Sequence, residues 1–219
     1  LDDVFVPWER VFMCGEHDFA ETWVNSFTAF HRLSHGGCKG GVADVMIGAA
    51  VTIAEYNGIS KASHVREKIT DMIHMAETMY GCSLAAAMEG HVTPSGVCFP
   101  DDIMASTAKL YETRYLHEMA RILQELAGGL VATMPSEKDL RNPATCGYIE
   151  KYLRGVASVP TTDRMRMMRF VEKLAFESRD LVSCVHGGGS PQAQRITILK
   201  RSDLKGKARL AKELAGIEG

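Results

Sequence analysis

The sequence predicts an all-α chain, an antiparallel four-helix bundle with extra short helices. From about Glu21 onward apolar residues recur at three- and four-residue steps over long stretches, the period of one helical face. Residues 41–56 are apolar almost all round, as a helix at the centre of a bundle must be. Clusters of glycine and proline separate the stretches, so each helix has a stop. At 219 residues the chain is long enough to bury a core without covalent staples.

In chain order, residues 1–12 (LDDVFVPWERVF) alternate apolar and polar positions at Val4, Val6 and Trp8, which fits the last strand of something that began earlier. Residues 62–88 carry Val65, Ile69, Met72, Ala76 and Met79 on one face and form a long amphipathic helix between Gly58 and Gly90. Pro94, Gly96 and Pro100 make 91–100 a loop, and Asp101-Asp102 start a second long helix with the stripe Met104, Ala108, Tyr111, Tyr115, Met119, Ile122 and Leu126. Met134-Pro135-Ser136 and Asn142-Pro143 bracket a further loop, followed by a shorter helix near 144–154. Thr162-Asp163 cap a third long helix, with Met167, Val171, Leu174, Ser178, Leu181 and Val185 on one side, and glycines 187–189 stop it. Ser190-Pro191 begin another at Gln192, and the charged segment from Asp203 makes a last, mostly solvated helix.

A net charge of −2 argues against a nucleic-acid or membrane surface, because binding phosphate needs a concentrated basic excess. The longest apolar run, about 42–54, is interrupted by Asp44 and is too short to span a bilayer. The expected partner is a small molecule or a second copy. Six cysteines without a CxxC pair suggest a reducing, cytoplasmic setting rather than a disulfide framework. The chain opens at Leu1 with no basic-then-apolar leader, and reads as a piece of a longer protein.

Three motifs carry chemistry. HRLSHGGCKGG (31–41) sets two soft ligands, His31 and Cys38, seven residues apart beside Lys39, a cation that would lower a thiol's pKa. In an unbroken helix His31 and His35 would share a face at the spacing of a zinc pair, with Cys38 one turn further, but Gly36-Gly37 argues against continuity. The plainer alternative is a satisfied core histidine and an inert buried thiol. In LQELAGGLVATMPSEKDL (123–140), Gln124 leads to Gly128-Gly129, where close backbone approach and donors freed at the helix end could face a ligand amide or pyrophosphate; a simple helix C-cap is the alternative. In VHGGGSPQAQR (185–195) a glycine turn feeds a helix N-terminus, a place for an anion or carboxamide, or simply a tight turn. The Met-rich stretch 164–169 and the basic tail 200–212 read as core adaptability and a solvated face.

In this order and at these separations, the opening segment and the three motifs make essentially all 219 residues resemble the C-terminal domain of the 4-hydroxybutyryl-CoA dehydratase/vinylacetyl-CoA isomerase family. That family is kin to the flavin-dependent 4-hydroxyphenylacetate 3-monooxygenases and, more distantly, to acyl-CoA dehydrogenases. The resemblance implies a bundle of the acyl-CoA dehydrogenase C-terminal type at 21–219, with 1–20 as the end of an upstream β-domain and its linker. It implies a homotetramer acting on a short-chain acyl-CoA, with flavin adenine dinucleotide (FAD) between domains and subunits. A [4Fe-4S] cluster in such enzymes has three cysteine ligands and one histidine. His31 and Cys38 match the histidine and the last cysteine, and the other two cysteines would lie upstream.

The implied mechanism is a radical dehydration, in which flavin redox chemistry acidifies an otherwise inert β-hydrogen and cluster iron acts as Lewis acid on the leaving hydroxyl. His31 would be the base, Lys39 would supply positive potential, and Gln124, Gly128 and Gly129 would contact flavin. His186, Gly188, Ser190 and Gln192 in the third motif are further cofactor-contact candidates. The chain departs from the family in two places: His35 stands where the dehydratases have tyrosine, and Ser183 where they have glutamate. These changes imply a relative acting on another substrate, or one whose proton relay runs through His35, unless an alignment shifted by one turn brings Glu177 to the site. Two other functions fit the sequence: an aromatic monooxygenase, which needs no cluster, and an oligomerising helical domain that is inactive alone.

Overall fold

The first long helix settles the question raised by Gly36-Gly37. In the computed structural model, which describes residues 1–217 and at 178–180 the backbone alone, α1 (Ala20–Tyr56) runs unbroken for 37 residues. Each interior glycine costs a helix about 1 kcal/mol relative to alanine, so tertiary contact must offset the loss. Gly36 shows how: it lies so close to Ser83 of α2 (Ser63–Met88) that no side chain fits between them. Nor is the 41–56 stretch buried all round, because Asp44, Val45, Gly48 and Val51 are exposed while Ala43, Met46, Ala50, Ile53 and Ala54 are buried.

After α2, the loop expected at 91–100 contains a two-residue antiparallel ladder, β1 (His91–Val92) with β2 (Cys98–Phe99), in the register His91 to Phe99 and Val92 to Cys98. Asp101 then caps α3 (Asp102–Ala127) by accepting from the Met104 N–H at 2.7 Å, and Gly128 ends it at φ +78°. The segment after α3 holds two short helices, α4 (Glu137–Arg141) and α5 (Cys146–Tyr152). The first was expected as loop, and a reciprocal capping box between Ser136 and Asp139 makes it a helix.

The third long helix of the sequence reading is two helices, α6 (Thr161–Phe176) and α7 (Ser178–His186), separated by the extended Glu177. The Gln124 amide donates to the Ala175 carbonyl at 2.9 Å, which satisfies an acceptor at the end of α6 and lets the chain turn. The buried face of α6 is Met165, Met168, Val171 and Ala175, with Met167 and Leu174 only half-buried beside it. The Ser178 side chain of the expected stripe lies outside the described residues. Ser190 caps α8 (Pro191–Arg201), and α9 (Leu204–Leu214), capped by Asp203, buries no residue.

The core is the expected four-helix one, formed by α1, α2, α3 and α6, with Met46, Met72, Met79, Met119, Leu123 and Met168 at its centre. α3 is the hub, touching α1, α2, α6, α7 and α8. By length and composition the helical stretch His17–Tyr56, which contains α1, could cross a bilayer, which the short apolar run did not suggest; the buried face of α1 packs on α2, α3 and α6. The strand expected within 1–12 is not formed: these residues make one 3-10 turn, Trp8–Arg10, and leave Val4, Phe5, Val6 and Trp8 exposed.

Candidate functional site

Because α1 continues through its glycines, His31, Arg32, His35 and Lys39 fall on successive turns. They face α3 and the glycine turn that follows α7. The His31 and His35 rings lie 4.6 Å apart between centroids. The His35 Nδ1 is 3.0 and 3.2 Å from the two carboxylate oxygens of Glu112, and since a carboxylate only accepts, Nδ1 is the donor. Lys109, three residues before Glu112 on α3, donates to Glu112 Oε1 at 3.1 Å and to the Cys184 carbonyl in the last turn of α7.

Arg32 holds the glycine turn itself. Its Nε donates to the Gly188 carbonyl at 3.0 Å, and one terminal nitrogen donates to Ser106 Oγ and Thr197 Oγ1 at 3.1 and 3.2 Å. The turn in return covers the imidazoles: a Cβ at Gly188, where φ is +71°, would sit 2.9 Å from His31 Nδ1, and one at Gly187 would sit 3.0 Å from His35 Nε2. Side chains are excluded there because the backbone itself is the wall.

Burial governs the charges. It pushes the His31 imidazole below the usual histidine range, helped by the neighbouring His35 and Lys109, so the neutral form is favoured. It also lowers Lys109, against the opposing pull of Glu112, and raises the Cys184 thiol, against the pull of Lys39. Lys39 is itself buried and donates to Ser183 Oγ at 3.4 Å. His31 Nδ1 and Gln194 Oε1 are the buried side-chain polar atoms left without a hydrogen-bond partner among the described residues. An unpaired buried acceptor costs on the order of 1–3 kcal/mol.

The structure thus brings together His31, His35, Lys39 and Gly188 from the first and third motifs. Cys38 is on the exposed face of α1, and seven residues place it about 20° round and about 10 Å along the axis from His31. Among the described residues, no three His, Cys, Asp or Glu side chains converge as a metal site. His31 and Cys38 nonetheless fit part of one: a neutral imidazole and an open thiol on the same helical stripe.

The other candidates are placed differently. The Ser190 hydroxyl is used as the α8 cap, accepting from Ala193 N at 3.4 Å, and His186 and Gln192 are exposed. Gln124 lies on α3 about 18 Å along the axis from Glu112. One of its two amide N–H groups donates to Ala175 O, and the helix end there leaves carbonyls rather than the donors expected from sequence, since the Gly128 N–H donates to Gln124 O. Gly128 and Gly129 are exposed with open space around them. Glu177 is exposed at the α6–α7 junction, whereas Ser183 reaches Lys39.

The sequence reading missed Arg32, Lys109, Glu112 and Cys184. A signal existed: Ala105, Ala108, Lys109, Glu112, Leu116 and Met119 follow one helical period, so two charges sit on the buried stripe of α3.

A family model described as 4-hydroxyphenylacetate 3-hydroxylase C terminal matches residues 20–216. A 4-hydroxybutyryl-CoA dehydratase/vinylacetyl-CoA-Δ-isomerase of Clostridium aminobutyricum is 41% identical over an alignment covering all of this chain and 47% of the relative. The solved oxygen-tolerant archaeal 4-hydroxybutyryl-CoA dehydratase from N. maritimus superposes with a TM-score of 0.95 at 44% identity, over all of this chain and 44% of that one. The oxygenase component of 4-hydroxyphenylacetate 3-monooxygenase, solved with FAD and 4-hydroxyphenylacetate, superposes with a TM-score of 0.87 at 25% identity, over 98% of this chain and 46% of that one. The chain therefore spans less than half the length of these relatives.

Proposed function

Because this chain belongs to the 4-hydroxyphenylacetate 3-hydroxylase C-terminal family, we propose that it is the helical C-terminal part of a 4-hydroxyacyl-CoA dehydratase and Δ-isomerase. The substrate is a short-chain acyl-CoA. The observation that carries this reading is the unbroken α1, which keeps His31 and Cys38 on one stripe with Lys39 buried just beyond. An aromatic monooxygenase has no need of that combination.

In this reading the assembled enzyme is a cytoplasmic homotetramer with FAD and a [4Fe-4S] cluster, and His31 and Cys38 hold the cluster together with ligands from the rest of a longer protein. When bound, the flavin supplies one-electron chemistry and the cluster iron supplies Lewis acidity toward the leaving hydroxyl. The remaining work falls to side chains of this chain. Burial keeps His31 neutral and able to ligate. The Lys39 ammonium keeps the potential positive where negative charge develops on the acyl group. His35, with its Nδ1 proton committed to Glu112, keeps the Nε2 lone pair as a proton acceptor. Gly187 and Gly188 close over both imidazoles and exclude water.

The test is the full-length protein purified without oxygen. We expect iron, acid-labile sulfide and a broad iron–sulfur absorption beneath the flavin bands. His31→Ala and Cys38→Ala should each lose cluster iron and retain the fold; unchanged iron in either variant removes that residue as a ligand. Flavin bands with no iron would move the assignment to the monooxygenases, the second reading, favoured by the similarity to the oxygenase component.

A further inference from the structure

Lys109 and Glu112 form a buried ion pair that the family resemblance does not use; in the proposed chemistry Glu112 enters only as the partner of His35, and Lys109 does not enter at all. Both are essentially inaccessible, at 0% and 1% exposure. Removing two charges from water costs several kcal/mol per ion, and their mutual attraction seldom returns more than that, so such a pair contributes little to net stability. What it does determine is geometry. The i,i+3 spacing on α3 points both groups the same way, and each has a second partner on a different helix. Lys109 donates to the Cys184 carbonyl in the last turn of α7, where a cation meets the negative end of the helix dipole. Glu112 accepts from His35 on α1 with both oxygens.

We propose that Glu112, with Lys109 as its counter-charge, is the positioning residue for His35: it holds the ring in one orientation and one tautomer, proton on Nδ1 and lone pair on Nε2, ready to accept a proton. The inference rests on the dehydratase reading for the identity of the substrate, but the tautomer does not depend on it. Three observations converge. A carboxylate can only accept, so its approach to Nδ1 fixes the proton there. The Lys109 ammonium occupies the other side of Oε1, so the carboxylate cannot swing away from the ring without leaving a cation unpaired. Through the Cys184 carbonyl the same lysine sets where α7 ends, and so where Gly187 starts, and Gly187 lies against His35 Nε2. One charged pair therefore registers both the imidazole and the backbone wall that faces its free nitrogen. Glu112 does not touch substrate; it acts through His35.

The experiment uses the full-length holoenzyme with 4-hydroxybutyryl-CoA, and ¹⁵N-histidine-labelled protein for the tautomer. Glu112→Gln should lower kcat on the order of 10- to 100-fold with little change in KM. Because that substitution strands Lys109, the neutral double variant Lys109→Met/Glu112→Gln is the control. It should fold with an unfolding midpoint near that of the parent and show the same loss in kcat. In a His35→Ala background the Glu112→Gln effect should vanish. The His35 resonances, identified by their absence in His35→Ala, should show a protonated Nδ1 and a bare Nε2, and should shift toward a tautomer mixture in Glu112→Gln. An equal kcat loss with and without His35, or an unaltered tautomer in Glu112→Gln, overturns the proposal. Absence of iron–sulfur and of dehydration in the parent protein would instead overturn the dehydratase reading, and the ¹⁵N spectra would still decide the role of Glu112.

Discussion

Gly36 on α1 and Ser83 on α2 meet so closely that a Cβ at position 36 would lie 1.5 Å from the Ser83 Oγ and 2.3 Å from its Cβ. That contact sets the height of α1 against α2, and His35 is the adjoining residue on α1. Gly36→Ala gains helix propensity worth about 1 kcal/mol but overpacks the interface, a cost of about 1–3 kcal/mol or more. The net effect expected is a loss of stability seen as a fall of several degrees in the unfolding midpoint. Ser83→Gly in the same chain should recover most of it, because it removes both clashing atoms. A Gly36→Ala variant as stable as the parent would mean that the helices separate freely here.

Arg32 joins α1 to the glycine turn, α3 and α8 through three hydrogen bonds while 3% exposed. Replacing it by alanine leaves the Gly188 carbonyl without its donor and opens a cavity, an expected cost of about 3 kcal/mol in urea unfolding. Arg32→Lys should fare nearly as badly although it keeps the charge. An ammonium cannot reproduce the planar fork that reaches Gly188, Ser106 and Thr197 together. A lysine variant with parental stability would show that charge, and not the fork, matters.

The helices were legible from the sequence because their signals are local. The stripe Val65, Met72, Ala76, Met79 and the cap at Asp101 require no knowledge of the partner helix. Two boundaries failed for the opposite reason. The glycine at 36 is explained only by Ser83, 47 positions later, which occupies the place of a side chain there, and α6 stops at Phe176 where Gln124 takes the Ala175 carbonyl. The site divides the same way. His31, His35 and Lys39 stand out as chemical types in a short motif, whereas Lys109 and Glu112 look like ordinary surface charges until their place on the apolar stripe of α3 is noticed. Arg32 gives no such signal, since its partners Gly188, Ser106 and Thr197 come from three other segments.

The two thiols nearest the site should behave oppositely toward an alkylating reagent. Cys38 is exposed, whereas burial raises the Cys184 thiol above its ordinary value. In cluster-free full-length protein at pH 8, Cys38 should label quickly and Cys184 only after unfolding, as mass spectrometry of the peptides would show. The linked stability effect has a definite sign. A thiol whose folded pKa is raised favours folding below its unfolded value near 8.5, and that contribution is lost as pH rises through the higher folded value. The stability difference between parent and Cys184→Ala should therefore shrink on the alkaline side. Rapid labelling of Cys184 at pH 8 would contradict the burial that produces both effects.

Gln124 separates a structural role from a cofactor role. One of its two amide N–H groups reaches the Ala175 carbonyl at 2.9 Å and satisfies that acceptor where α6 gives way to α7. A flavin contact through the same N–H would have to break this bond, leaving the Ala175 carbonyl to water. Gln124→Ala in the full-length protein is therefore expected to cost about 1 kcal/mol of stability while bound flavin stays at the parental level. Gln124→Glu is the sharper probe: it keeps the length but presents an acceptor to an acceptor, and should destabilise more than alanine does. If instead flavin is lost from Gln124→Ala while the unfolding midpoint is unchanged, the amide belongs to the cofactor, and the α6–α7 turn is held by the packing of Ala175 alone.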